Sequence, residues 1–521
     1  MRIRKRSVFY AVLMFTASSV GLQLLGFIYR IALSRLIGAE GMGVYGLVMP
    51  VYSVVQSFAL WGLTLALTKE SAKYEALQNP KALATAVRTA ILLYLLQFAI
   101  IAVPIFMWSK PIAANILGDF RTRAALLILL PCMCLTGIEN LFKAHFQGIR
   151  YIYPPIVSEL CEQLIRMGAV LGLLILFAGA SPGVAAALIV AGMLVSEVFS
   201  STFLSLWYLI RKRCLKKRGC LTYSTEPEEW KGKPQADIPK TLFAAALPVS
   251  FAGLLNNLLA SATTVILPRR LMLAGLSQTQ ALSDFGIMTG MTMPLLMMPA
   301  AFIFPLTAVL VPKLAEACAL KNAEDVRRKA AKGIHTTGII AFAACAVLLP
   351  LGREIAQLLY NEPAAGNFMV PLTAAAFFTY YQVVTGSILN GVGRQKLSSL
   401  SIVLCSVIHI LFTWFAAATP GVGMWGYVIG DLISALFGAA FNTFFILRST
   451  GLSLRIHNWF IKPFLSFLAA VFAARVSYLL LGAFIPAFAI IVSGIICLLV
   501  YFITLRFQGI SLRKYLQNIR E

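Results

Sequence analysis

The sequence predicts an all-α polytopic membrane protein with about fourteen transmembrane helices. The chain has 521 residues, of which 59% are hydrophobic and only 12% charged, too few for a soluble surface. The apolar residues arrive in blocks of about twenty, the length that crosses a hydrocarbon core. None of the blocks shows the period-two alternation of a membrane barrel. In lipid each block must satisfy its own backbone hydrogen bonds, so each is read as a helix.

Hydropathy places the spans at residues 8–37, 46–68, 85–108, 124–146, 154–179, 183–210, 241–267, 285–311, 333–352, 368–391, 397–418, 424–447, 460–481 and 484–506. The first is long for one straight crossing, and Gly21 and Gly26 allow it a bend or a tilt. It is too long for a cleaved signal peptide and lacks a small-residue cleavage site before a polar domain. The longest polar stretch, Arg211 to Lys240, contains Pro227, Gly232 and Pro234 and separates six spans from the next six. The chain therefore divides into a six-helix lobe over 1–210, a basic cytoplasmic linker over 211–240, a second six-helix lobe over 241–450, and helices 13 and 14 with a cytoplasmic tail over 451–521.

An internal repeat supports the two lobes. Gly46-Leu47-Val48-Met49-Pro50 recurs as Gly290-Met291-Thr292-Met293-Pro294, and Lys69 recurs as Lys313, all at an offset of 244. Gln147-Gly148-Ile149 recurs as Asn390-Gly391-Val392 at an offset of 243, which also sets Arg166 against His409. A duplicated unit with an even number of spans inserts both copies the same way up, a known transporter arrangement in which one lobe rocks against the other.

The net charge of +24 invites a nucleic-acid partner, but its distribution excludes one. With the N-terminus cytoplasmic, thirty-four Lys and Arg fall on the cytoplasmic side and seven on the other. This is the positive-inside bias, and it puts both termini in the cytoplasm. Topology and anionic lipid account for the basic loops. The nine cysteines show no CxxC pair, zinc spacing or disulfide framework. Walker A, GxGxxG, HExxH and GxSxG signatures are missing as well, so neither a cofactor nor an enzymatic activity is expected.

Charged groups inside spans are costly and mark candidate sites. Glu159, Glu162, Gln163 and Arg166 fall on one face of span five, with Glu162 and Arg166 paired i,i+4. Two readings are open: a self-neutralising pair that stabilises packing, or a coupling site in which the spare carboxylate holds a cation or proton. Arg30 on span one can grip a phosphate bidentately or snorkel to the interface, and Arg35 follows five residues on. Arg269 and Arg270 end span seven, as headgroup contacts or interfacial anchors. Asn256 and Asn257 on that span can bond a sugar or a neighbouring helix. Asp284 is an ion ligand or a helix N-cap. Glu139, Asn140, Lys143 and His145 read as a solvated helix end, and Glu197, His409, Asp431 and Arg475 stand alone on their spans.

Leu25-Gly26-Phe27-Ile28-Tyr29-Arg30 and Ser34-Arg35-Leu36-Ile37-Gly38-Ala39-Glu40-Gly41-Met42-Gly43-Val44-Tyr45 resemble the opening of bacterial polysaccharide-export flippases. His145-Phe146-Gln147-Gly148, Glu162-Gln163-Leu164-Ile165-Arg166 and Asn390-Gly391-Val392-Gly393-Arg394 resemble later landmarks. The family belongs to the multidrug/oligosaccharidyl-lipid/polysaccharide exporter superfamily, with the stage V sporulation protein B group the nearer match and the lipid II flippases more distant. The resemblance implies a V-shaped two-lobe carrier that moves polyprenyl-pyrophosphate-linked sugars or peptidoglycan precursors outward across the plasma membrane. It also implies cavity arginines that meet the pyrophosphate. Arg35 stands at one such position and Tyr29 at the other, with Arg30 displaced by one, and Asp284-Phe285 stands where lipid II flippases have an Asp-Arg step. Helices 13 and 14 resemble a pair that holds the lipid tail. The expected substrate-binding residues are Arg30, Arg35, Arg166, Asn256 and Asn257, and the expected ion-coupling residues are Glu159, Glu162 and Asp284. The expected partners are a lipid-linked sugar, membrane lipids and a coupling cation or proton. The alternative is a multidrug/cation antiporter of the same superfamily; a membrane glycosyltransferase is disfavoured because the outer loops are short.

Overall fold

Glycine and proline decide where the long apolar segments become separate helices. The computed structural model describes residues 5–60, 62–77, 79–217, 238–453, 456–482 and 486–510, and every regular element among them is helical. The chain divides into two compact units, Met1–Val265 and Ile266–Glu521. The boundary falls inside a helix, beyond the linker 211–240, whose residues 218–237 lie outside those described.

The first unit contains α1 (Lys5–Leu60), α2 (Leu63–Ala76), α3 (Pro80–Met107), the single turn α4 (Ser109–Pro111), α5 (Arg123–Gly148), α6 (Tyr153–Leu176), α7 (Pro182–Lys217) and most of α8 (Ile238–Leu273). The first expected span and most of the second lie in α1, and the last residues of the second, 63–68, belong to α2. Helix α1 is broken at Gly38, where φ is 68° and ψ −175°. That backbone conformation is open to glycine at little cost. Three helices are tied together at one carbonyl: Gln56 Nε2 from α1 and Tyr94 Oη from α3 each donate to Met133 O of α5 at 2.7 Å.

The second unit contains α9 (Gln278–Gly286), α10 (Met293–Met297), α11 (Ala300–Ala319), α12 (Ala323–Tyr360), α13 (Met369–Gly391), α14 (Gln395–Phe415), α15 (Met424–Thr450), α16 (Lys462–Leu481) and α17 (Pro486–Phe507). The eighth expected span, 285–311, is not one continuous helix. It is divided among the end of α9, a π-helical stretch Ile287–Thr292, α10 and α11. Pro294 and Pro299 supply no amide donor there, and proline excludes the helix behind it. Side chains tie the broken segment to its neighbours: Tyr380 Oη donates to Leu296 O, a carbonyl that membrane burial would otherwise strand, and Thr292 Oγ1 donates to Ala365 O at 3.0 Å. Helices α16 and α17 pack on α12 around Ile339, Phe342, Cys497 and Tyr501. Arg475 of α16, a singleton in the sequence, pairs with Glu354 of α12 at 2.7 Å.

Eleven helices among the described residues are long and apolar enough to cross a membrane, against fourteen expected segments. α1 takes in the first segment and most of the second; α6 carries Glu159, Glu162 and Arg166, which lower its apolar character although it is 24 residues long; and the seventh segment falls on α8, 36 residues long, whose side chains before Leu254 lie outside those described.

The sequence repeat has a counterpart in packing. Gly148 lies against Thr68 O and Ser71 in the first unit, and Gly391 against Val311 O and Leu314 in the second, all displaced by 243. A second close approach recurs with its partners exchanged. Tyr94 of α3 covers Gly137 of α5, whereas Tyr381 of α13 covers Gly338 of α12. A side chain at Gly391 would meet Leu314 Cβ at 2.9 Å and Val311 O at 3.1 Å. Gly391→Val is therefore expected to destabilise the second unit by about 3 kcal/mol through overpacking. Thermal melting of the purified protein checks this, and an unchanged melting temperature would show that the α11–α13 contact yields freely.

Candidate functional site

The charged face of α6 is met by charged groups from both neighbouring helices. Glu139 and Lys143 come from α5, Glu159, Glu162 and Arg166 from α6, and Glu197 from α7. Lys143 Nζ lies 2.7 Å from Glu139 Oε1, 3.3 Å from Glu159 Oε1 and 3.7 Å from Glu162 Oε2. Arg166 is ion-paired with Glu162 one turn back and with Glu197 Oε1 at 3.3 Å across to α7. Ser196 lies 3.4 Å from Arg166 Nε, and the Ser158 and Ser200 hydroxyls meet at 3.0 Å on the same α6–α7 seam. Oxygens of Glu139, Glu162 and Glu197 lie within 4.8 Å of one another.

This placement corrects one expectation. Glu139 and His145 do not form a solvated helix end: each is only 2% exposed. His145 Nδ1 is paired with Ser71 Oγ at 3.1 Å, and its ring stands edge-on to Tyr208. Glu197, likewise 2% exposed, is no isolated residue but the far wall of the cluster, and its Oε2 has no hydrogen-bond partner among the described residues.

Four carboxylates thus face two permanent or near-permanent cations. In a membrane-spanning segment such an excess of negative charge is expensive. A bound cation or shared protons would balance it, and three convergent carboxylate oxygens suit a hard cation.

The other expected site residues fall in different places. Arg30 and Arg35 on α1 are both exposed, and Arg30 makes no ion pair among the described residues. Arg30 directly follows Tyr29, a buried residue whose hydroxyl has no partner among the described residues, and Gly26 one turn earlier faces Gln163 of α6. The guanidinium of Arg166, in contrast, is taken up by carboxylates. Asn257 donates to Ser57 Oγ of α1 at 2.5 Å, which is the helix-bridging arrangement, while Asn256 is half-buried on α8. Asp284 does not cap a helix. It lies inside α9, whose N-terminus is closed by Ser277 and Gln280 in a capping box, and it belongs to the second unit. His409, in register with Arg166, packs on Tyr427 at 4.6 Å. Arg270 stacks on Trp414 at 3.2 Å, and Arg269 precedes it near the end of the same helix.

Many apolar spans around a buried, unbalanced charge cluster define a multi-pass membrane protein of the transporter class. The chain belongs to the polysaccharide biosynthesis protein family, whose model matches residues 10–318. A MatE model matches residues 248–415. Among curated relatives, stage V sporulation protein B of Bacillus subtilis (strain 168) is 22% identical over 450 residues, covering 84% of this chain and 83% of that protein. The lipid II flippase MurJ of the same organism is 22% identical over 408 residues, covering 75% and 73%. Among solved structures, an inward-facing multidrug resistance MATE family transporter of the MOP superfamily aligns with a TM-score of 0.64 at 16% identity, over 83% of this chain and 96% of the other. A MOP superfamily transporter from Pyrococcus furiosus, described as having a binding pocket of reverse polarity, aligns with a TM-score of 0.58 at 15% identity, over 85% and 96%.

Proposed function

We propose that this protein is a flippase that exports a polyprenyl-pyrophosphate-linked oligosaccharide or peptidoglycan precursor across the plasma membrane by alternating access. Family membership, together with relatives named as a sporulation protein and a lipid II flippase, supports the substrate class. The positive-inside bias supports cytoplasmic termini. The observation that carries the mechanism is the cluster on α5, α6 and α7, where carboxylates outnumber cations inside spanning helices. In this reading Glu139, Glu162 and Glu197 hold a coupling cation or proton, joined by Glu159. Arg166 and Lys143 set how much charge the site must import. Asp284, in the second unit, is a separate candidate ligand.

Arg30 and Arg35, exposed on α1, are the groups offered to the pyrophosphate. A guanidinium stays charged and pairs bidentately with phosphate oxygens. Asn257 then works as a bridge between helices, and Asn256 remains the candidate sugar contact on α8. No role for nucleic acid is needed.

The test is transport in liposomes of a fluorescent polyprenyl-pyrophosphate sugar, run beside efflux of a cationic dye. The match of the MatE model to residues 248–415 favours a second reading, a cation-coupled multidrug antiporter, and dye efflux without lipid flipping would establish it in place of the first. Arg30→Ala is expected to reduce flipping at least 10-fold at unchanged protein level, the loss of one charge-assisted anion contact. Wild-type flipping by that variant would remove Arg30 from the substrate path.

A further inference from the structure

At the end of the second unit where α14 begins and α15 finishes, the surface holds a cavity of about 710 Å³ lined by Arg394, Lys396 and Arg448, with Leu397 and Phe445 as its apolar wall. No carboxylate lines it, and none of the three cations forms an ion pair among the described residues. Gly393, at φ 77°, turns the chain into α14. The N-terminus of α14 has no side-chain cap, and Arg394, Gln395 and Lys396 at that end all line the cavity. A long helix whose N-terminus is flanked by cations favours an anion.

The charges continue into lipid-facing apolar surface. Leu400 lies one turn along α14 from Lys396, and Phe444 one turn back along α15 from Arg448. Both are exposed, at 47% and 56%, and i,i+4 spacing puts each on the face of its cation. A phosphate head in the cavity and acyl chains across Leu400 and Phe444 would match this order of charge and apolar surface. The cavity near Arg211 in the first unit offers a contrast: it is only about 50 Å³, and Arg211 is already paired with Glu75 at 3.1 Å.

We propose that the Arg394–Lys396–Arg448 cavity is a binding site for the headgroup of an anionic phospholipid, distinct from the transported substrate. Basic pockets between spanning helices are a recurrent means of holding acidic lipid. The orientation proposed above would place the site at the cytoplasmic leaflet; binding itself does not depend on the flippase reading.

The test is native mass spectrometry of the full chain, titrated separately with phosphatidylglycerol, with phosphatidylcholine of the same chains, and with inorganic phosphate. The triple variant Arg394→Gln/Lys396→Gln/Arg448→Gln is expected to bind phosphatidylglycerol about 100-fold more weakly, since three surface charges each contribute about 5-fold. Phosphatidylcholine should bind wild type and variant alike. The three side chains are exposed, so melting should stay at the wild-type value. If the triple variant fails to fold, Lys396→Gln alone decides, with a loss of about 5-fold expected. Unchanged phosphatidylglycerol binding in the folded variant would overturn the site. Complete displacement of the lipid by millimolar inorganic phosphate would overturn its assignment to lipid and leave a free-anion site.

Discussion

Replacing Arg166 by alanine is expected to lower the stability of the first unit by about 3–5 kcal/mol and to abolish flipping. Arg166 stands between Glu162 on its own helix and Glu197 on α7. Truncation leaves both carboxylates buried with Lys143 as the nearest cation, and an uncompensated buried charge costs far more than the ion pair returns. Arg166→Lys should be intermediate, because a lysine ammonium is a point charge and lacks the planar fork that spans two carboxylates. The decisive comparison is the double variant Arg166→Ala/Glu197→Gln, which removes one of the stranded charges and should melt above Arg166→Ala alone. A double-mutant cycle on melting temperature measures that coupling. If Arg166→Ala melts with wild type, the guanidinium is reached by water and the cluster is not the closed site described here.

The parts of this site that could be read from the sequence are those that lie on one helix. Glu159, Glu162 and Arg166 share a face because of their spacing, and their cost in a span marked them out. Glu139 and Glu197 could not be joined to them in this way. Glu197 is the one carboxylate of its span and Glu139 has only Lys143 beside it on α5, and what brings them to α6 is the packing of α5 and α7, which no periodicity encodes. The available signal was energetic: a carboxylate in a span requires a partner, and α6 carried charges of both signs on one face. The same demand for a partner applies to Arg475, but its carboxylate, Glu354, lies 121 residues away and is set by packing alone. Proline carried the other unread feature. The stretch from Gly286 to Pro299 carries no charged side chain, so hydropathy gives a continuous span, whereas Pro294 and Pro299 give a broken one. The repeat, in contrast, was legible from a few residues, because glycines that allow close approach are among the positions least free to change size.

Glu197→Gln is expected to uncouple transport from its driving ion while leaving the fold intact. The amide keeps the size of the carboxylate and can still accept from Arg166, so melting should move little. One negative charge leaves the cluster, so four carboxylates against two cations become three against two, and the demand for an imported cation or proton falls by one. Lipid flipping in liposomes should then lose at least 10-fold of its response to an imposed sodium or proton gradient, while downhill exchange of the lipid persists. Glu162→Gln should act in the same direction but with greater loss of stability, because Glu162 pairs with both Arg166 and Lys143. Comparing the sodium and proton gradients identifies the ion, since only one should drive the wild type. If Glu197→Gln retains the full gradient response, the buried carboxylates serve packing alone and the coupling group must be sought elsewhere, with Asp284 of the second unit the first candidate.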